Sequence, residues 1–241
     1  MTGATFVLVP GAGGSAWYWH RLVAELTGRG HRAVAVELPA QDNAAGLAEY
    51  ADAVLAAVTA AGREGELVLV AQSMAGLIAP ELARRLPASL VVLLNAMIPA
   101  PGELPGAWWG NTGQDEAQRA MDRREGRPAD AGFDPVTYFL HDLPPELLDD
   151  ALANAPKQSE TPFGRPGPDA TWPDVPIRVL AGRADRFFPL EFQRRVARER
   201  LGAEVGAVVE VPGGHLAALS YPAPLADRLE QYLAELAPHP V

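Results

Sequence analysis

Leu67-Val68-Leu69-Val70-Ala71-Gln72-Ser73-Met74-Ala75-Gly76-Leu77-Ile78 is the stretch that decides the fold. Its first half runs through leucine and valine without polar alternation, as in a strand buried on both faces of a parallel sheet. Small residues at 71, 75 and 76 then mark a sharp turn into an apolar helical spacing. A serine at such a turn stands exposed above the sheet, because strand and helix backbones pass close together there. The helix start behind it favours developing negative charge. The usual pattern has glycine two residues before and after the serine, and here both positions are alanine. Taken alone, the segment also fits a serine that caps a helix, since serine is a preferred N-cap.

On either side, short apolar runs alternate with longer amphipathic ones. Strands are predicted at Thr5–Val9, Arg32–Leu38, Glu66–Ala71, Leu90–Asn95, Ile177–Ala181 and Ala207–Val211. Helices are predicted at Ala16–Gly28, Gly46–Ala61, Gly76–Arg85, Leu190–Leu201 and Pro222–Leu236. This alternation implies an α/β fold with a mostly parallel, doubly wound sheet. The rhythm breaks between Ile98 and Pro173, where Asp115–Glu125 and Pro144–Ala155 read as helices and Pro162–Pro176 as a proline-rich return. Trp108, Trp109, Phe133, Tyr138, Phe139, Phe163 and Trp172 make this segment too aromatic for a disordered loop. An ordered helical cap over residues 98–173 is expected, inserted into one core made of residues 1–97 and 174–241.

The 241 residues suit one large α/β domain, or at most two small ones, and can bury a continuous core. With no cysteine, disulfides, thiol catalysis and thiolate metal sites are excluded. A formal net charge of −10 offers no basic patch for phosphates, so no nucleic-acid partner is expected. The first apolar run is short, has no basic leader and stops at Pro10, which reads as a strand rather than a signal peptide. No run approaches the ~20 apolar residues of a membrane span. The expectation is a soluble, cytoplasmic monomer or homodimer whose partner is a small-molecule substrate.

Further along the chain, Val7-Leu8-Val9-Pro10-Gly11-Ala12-Gly13-Gly14 is a strand running into a glycine-rich loop. It is compatible with a dinucleotide fingerprint, with Ala16 in the third glycine position and Glu37 as the acidic residue ~20 positions on. It is equally compatible with one arm of an oxyanion hole, the Ala12 N–H beside the Met74 N–H. Asp185 lies just past a late strand and His215 just past the last one. With Ser73 they give the chain order Ser…Asp…His, each at the carboxyl end of a predicted strand, where open α/β sheets carry their sites. Asp174 is the competing aspartate, but it precedes its strand. Ser73, Asp185 and His215 are therefore the candidate catalytic residues, and Gly11, Trp108, Trp109 and His141 are expected to touch substrate. His20, His31 and His239 sit in poorer contexts. No histidine–carboxylate cluster has metal-ligand spacing, so neither metal nor cofactor is expected.

Along nearly its whole length the chain resembles the α/β-hydrolase superfamily, and within it the branch of plant methyl esterases, hydroxynitrile lyases and small bacterial esterases. The likeness is carried by Phe6-Val7-Leu8-Val9-Pro10-Gly11-Ala12 with Trp17 and Trp19, by the Ser73 turn, by Asp185-Arg186-x-x-Pro189-x-x-x-Gln193-Arg194, and by His215-Leu216-x-x-x-Ser220-x-Pro222. Pro10 and Gln72 stand where that branch commonly has histidine. The resemblance implies hydrolysis of a carboxylic ester, or a related acyl bond, of a small apolar or aromatic molecule. Hydroxynitrile lyases of the branch resemble one another in a threonine at the position of Gly11 and a lysine directly after the catalytic histidine. Here that residue is Leu216, and the single lysine is the distant Lys157. A cofactor-free tailoring enzyme and a non-catalytic small-molecule receptor are the other readings of the same fold.

Overall fold

The structure, a computed structural model, describes residues 3–128, 132–155 and 157–236. Six strands form one sheet: β1 Thr5–Val9, β2 Arg32–Ala35, β3 Leu67–Gln72, β4 Leu90–Leu94, β5 Ile177–Gly182 and β6 Val208–Val211. Every neighbouring pair is parallel, in the order β2-β1-β3-β4-β5-β6. The central strands are buried at every residue because helices cover both faces. Their side chains divide with the two-residue period of a strand. Val7, Leu69, Val91 and Val179 enter one apolar cluster, and Phe6, Val68, Val92 and Leu180 enter the other.

Eleven α-helices are described: α1 His20–Gly28, α2 Leu47–Ala61, α3 Ala79–Arg85, α4 Trp108–Thr112, α5 Gln114–Arg124, α6 Pro135–Tyr138, α7 Pro145–Ala153, α8 Thr161–Gly164, α9 Leu190–Leu201, α10 Ala217–Ser220 and α11 Pro222–Leu236. On the first face, α2 lays down Leu47, Tyr50, Ala51, Val54 and Val58, one helical stripe at steps of three and four. Glu49 accepts the Gly46 N–H at 2.7 Å and closes the start of that helix. On the other face, α11 presents Leu225, Ala226, Leu229 and Tyr232, and α1 adds Leu22 and Leu26. At about 1.5–3 kcal/mol for each such side chain, these two stripes hold their helices far more strongly than intrinsic helix propensity does.

The first strand to depart from its expected span is β2, which ends at Ala35 rather than Leu38. The chain peels away there, and the Leu38 N–H turns to the Gly14 carbonyl at 2.8 Å. Helices α4 to α8 all lie between β4 and β5. Among the described residues no helix is long and apolar enough to cross a membrane.

Candidate active site

Because all six strands run the same way, the segments that follow them emerge at one edge of the sheet. Gln72 closes β3 in extended backbone, and Ser73 follows with φ +51°, a left-handed conformation rare outside glycine. This is not the geometry of a helix N-cap, which has an extended backbone; Gln72 occupies that place. The strain, about 1–3 kcal/mol for a non-glycine residue, is held by the neighbours. The Met97 N–H donates to the Ser73 carbonyl at 2.9 Å, and Ser73 is buried.

Ser73 Oγ lies 3.0 Å from His215 Nε2, and His215 Nδ1 lies 2.8 Å from Asp185 Oδ2. Asp185 and His215 are both buried. The second carboxylate oxygen of Asp185, Oδ1, accepts the N–H groups of Phe187 and Phe188, each at 2.9 Å, while Gln193 donates to Oδ2 at 3.3 Å. A carboxylate pinned in this way sets the imidazole: with Nδ1–H given to Asp185, Nε2 is left to accept the Ser73 hydroxyl proton. Asp174 is exposed, ahead of β5.

Two polar residues that frame the site were not among the expected site residues. Asn95, just past β4, has φ +46° and is fully buried. Its amide donates to the carbonyls of Gly214 and His215 at 3.1 and 3.0 Å, while its oxygen accepts the Gly182 N–H at 2.7 Å. Gln72 donates to the His215 carbonyl at 3.3 Å and accepts the Gly11 N–H at 2.9 Å. The loops bearing His215 and Gly11 are thus tied to the ends of β3 and β4. The available signal was a lone amide closing each of two wholly apolar strands, where a buried polar group needs partners.

The glycine-rich loop is packed against the serine. A methyl on Gly11 would stand 2.7 Å from Ser73 Cβ and 2.5 Å from Gln72 Oε1, so no side chain fits there. Glu37 accepts the Ala16 N–H at 2.6 Å and closes the loop onto the following helix, rather than standing free for a ribose. These contacts replace the dinucleotide reading of the loop. Gly13 is held from the opposite side, donating to Gln158 Oε1 at 2.8 Å. Ala12 and Met74 both border the space in front of Ser73.

That space is two cavities that share Ser73 and Ala12. The larger, about 720 Å³, has Met74, Trp109, Phe163 and Phe187 in its wall. The smaller, about 410 Å³, has Gly11, Trp17, His215, Leu216 and Leu219. Of the residues expected to touch substrate, Gly11 and Trp109 line these spaces. Trp108 lines neither and is a correction: it is fully buried, donates Nε1–H to the Ile98 carbonyl at 2.9 Å, and packs on Phe188 and Phe192. On a short helix neighbouring side chains diverge by about 100°, so only one of the two tryptophans faces the cavity.

His141 is the second correction, since it too lines neither cavity. Its ring packs beside Gly214, and among the described residues neither buried ring nitrogen has a hydrogen-bond partner; the Ala184 carbonyl faces the ring outside bonding geometry. Burial pushes this imidazole below the ordinary histidine range, against the pull of neighbouring Asp142. Asp142 accepts the Gly214 N–H at 2.6 Å, which fastens the insertion to the His215 loop. Phe139 stacks on His215 with ring centres 4.9 Å apart. Of the poorer candidates, His20 is exposed and His31 is buried 3.1 Å from Glu230, while His239 lies outside the described residues. Among the described residues no three histidine or carboxylate side chains gather as metal ligands.

Over 113 residues the chain is 39% identical to a rice protein (Oryza sativa subsp. indica) named "Probable esterase PIR7A". That match takes in 43% of each protein, so the chain covers less than half the length of this relative. A pyrethroid hydrolase of Sphingobium wenxiniae is 27% identical over 253 residues, covering 96% of this chain and 88% of that one. The crystal structure of a pyrethroid hydrolase from Sphingobium faniae JZ-2 matches with a TM-score of 0.74 over 97% of this chain and 98% of its own, at 21% identity, a likeness of fold. The sequence profile of the alpha/beta hydrolase family extends from residue 6 to residue 228, from β1 into α11. A match over nearly the whole sheet and both helical layers places the chain in the alpha/beta hydrolase family.

Proposed function

We propose that this chain is a serine hydrolase that cleaves a carboxylic ester of a small apolar or aromatic molecule through an acyl-enzyme. The observation that carries the reading is the linear contact of Ser73 Oγ, His215 and Asp185 at 3.0 and 2.8 Å. In this reading Nε2 of His215 takes the Ser73 proton as Oγ attacks the ester carbonyl. Asp185 holds the imidazole in the required tautomer and stabilises the imidazolium. The carbonyl oxygen, negative in the tetrahedral intermediate, is received by the Ala12 and Met74 N–H groups. His215 returns its proton to the departing alcohol, and water then attacks the acyl-serine by the same proton path. Residues 98–173 act as the cap over the reacting atoms.

The names of the relatives, esterase and pyrethroid hydrolase, support the same class of reaction. The apolar end of the smaller cavity, with Leu216 directly after His215, supports the esterase reading over a lyase that uses a lysine there.

The test is a fluorophosphonate probe followed by p-nitrophenyl ester turnover. The wild-type protein is expected to be labelled at Ser73. Ser73→Ala should abolish labelling and lower turnover by ~10⁴-fold or more at unchanged melting temperature, because triad members act as a unit. More than a tenth of wild-type activity in the variant sinks the assignment.

A further inference from the structure

We propose that the two cavities divide the substrate between them. The larger takes the acyl half, an aromatic acid carrying a hydrogen-bonding substituent, and the smaller takes an apolar alcohol. This rests on the ester-hydrolase reading above and deepens it.

The assignment follows from where the proton must go. Ser73 and Ala12 border both spaces, whereas His215 borders only the smaller one and Met74 only the larger. When the tetrahedral intermediate collapses, the bond from the carbonyl carbon to the alcohol oxygen breaks. The imidazolium proton moves to that oxygen. The leaving alcohol therefore occupies the space that His215 faces. The acyl carbon stays on Ser73 Oγ with its oxygen toward Met74, so its remaining substituent extends into the space that Met74 borders and His215 does not.

A partition keeps the two halves apart. Phe133 and Phe139 border both cavities and meet at 5.1 Å, and Phe139 is the ring stacked on His215. The wall chemistry then sets the substrate class. Trp109, Phe163 and Phe187 offer ring faces and edges to the acyl group, which favour an aromatic partner. Gln114, Gln118 and the solvent-facing Arg119–Asp115 pair, all of α5, complete that wall with hydrogen-bonding groups. The smaller space has a mostly apolar wall that includes Trp17, Leu140, Leu216 and Leu219, fit for an apolar body of modest size.

Two isomeric esters isolate the direction of binding: ethyl 2-naphthylacetate and (2-naphthyl)methyl propanoate. They contain the same atoms and the same kind of acyl carbon, but carry the ring system on opposite sides of the ester. The readout is the ratio of kcat/KM for the first to that for the second. Wild-type protein should favour the ethyl ester. Trp109→Ala should lower the ratio about tenfold, as expected for a lost aromatic contact. Trp109→Leu, which retains apolar bulk, should lower it less. Ala155→Trp narrows the smaller cavity from an exposed loop position and should raise the ratio. A ratio raised by Trp109→Ala and lowered by Ala155→Trp, or no movement by either, overturns the division while ester turnover leaves the function standing. If wild-type protein hydrolyses no ester and resists the fluorophosphonate, the ester-hydrolase reading fails, and the division with it.

Discussion

The strand ends and the helical insertion meet at Ser73, yet they are built by opposite means. Around the strand ends the buried side chains of Asp185, Asn95 and Gln72 are each held by several partners. Asp185 receives two backbone N–H groups, Gln193 and His215, while Asn95 and Gln72 each bridge two segments. The insertion instead holds His141 with both ring nitrogens unpartnered among the described residues, and its α5 carries solvent-facing ion pairs such as Arg119–Asp115 and Arg123–Glu116. Exposed pairs of that kind contribute about 0–1 kcal/mol. The insertion is fastened at Trp108, at the buried Glu103–Arg200 ion pair, and at hydrogen bonds that include Asp142–Gly214, Gly13–Gln158 and Ser159–Ala40. The geometry of the candidate site is therefore fixed from the strand ends, and the wall of the larger space in front of it comes mostly from the insertion. Changes in the first region should abolish turnover, and changes in the second should shift stability and selectivity.

The sharpest break of that contrast is at the carboxylates. Asp185→Asn should lower kcat/KM by about 10⁴-fold, some 5.5 kcal/mol of transition-state stabilisation, because the imidazole loses the partner that fixes its tautomer. Asp174→Asn should leave steady-state kinetics at the wild-type level. A large loss at Asp174 with little at Asp185 would reverse the assignment of the two ends of β5.

Next come the adjacent tryptophans. Trp108→Ala empties a site in the main cluster and should cost about 3–5 kcal/mol, read as a lower urea midpoint. Trp109, half-buried, should cost clearly less under the same treatment. Equal losses would mean that both are structural. Asp142→Ala leaves the Gly214 N–H without its acceptor and should cost about 1–3 kcal/mol by the same measurement. An unchanged midpoint would show that this bond does not fasten the insertion.

The smallest effect is a pH slope. Because burial depresses the folded-state pKa of His141, the unfolded chain binds a proton first as pH falls. Stability from this residue is fully present above ~6.5 and is lost as pH drops from there toward the folded value. The slope is at most about 1.4 kcal/mol per pH unit, and less for a ring only partly enclosed. His141→Gln should therefore lose less stability than wild type between pH 7.5 and 5.5. Equal losses would show that the ring is not held neutral.

The same division explains what could be read in advance. Unbroken apolar runs such as Leu67–Val70 admit one arrangement, a doubly covered strand, and parallel strands bring Ser73, Asp185 and His215 to one edge. Departures occur where tertiary contacts overrule local pattern. The helix expected from Gly76 starts only at Ala79, because Ser73–Leu77 winds as a 3-10 turn beneath the serine. In the insertion, composition marks aromatic content but not direction. Nothing in the pair Trp108-Trp109 says which ring fills the core, and nothing in His141-Asp142 shows that the aspartate bonds a loop more than seventy positions on.

The Ser73 turn also bears on how such chains are found. Ala71 and Ala75 are buried and their methyls belong to the cluster beneath the sheet, so the two places usually reserved for glycine have room for a side chain. The crowded place is Gly76, where an added methyl would stand 2.3 Å from the Met97 carbonyl oxygen. A pattern scan that demands glycine two positions either side of the serine passes over this chain, although its backbone makes the turn. A scan that allows any small residue at those positions and requires glycine at the third position after the serine would retrieve it. In this chain the crowding comes from the segment after β4, which presses Ala96 and Met97 onto the turn.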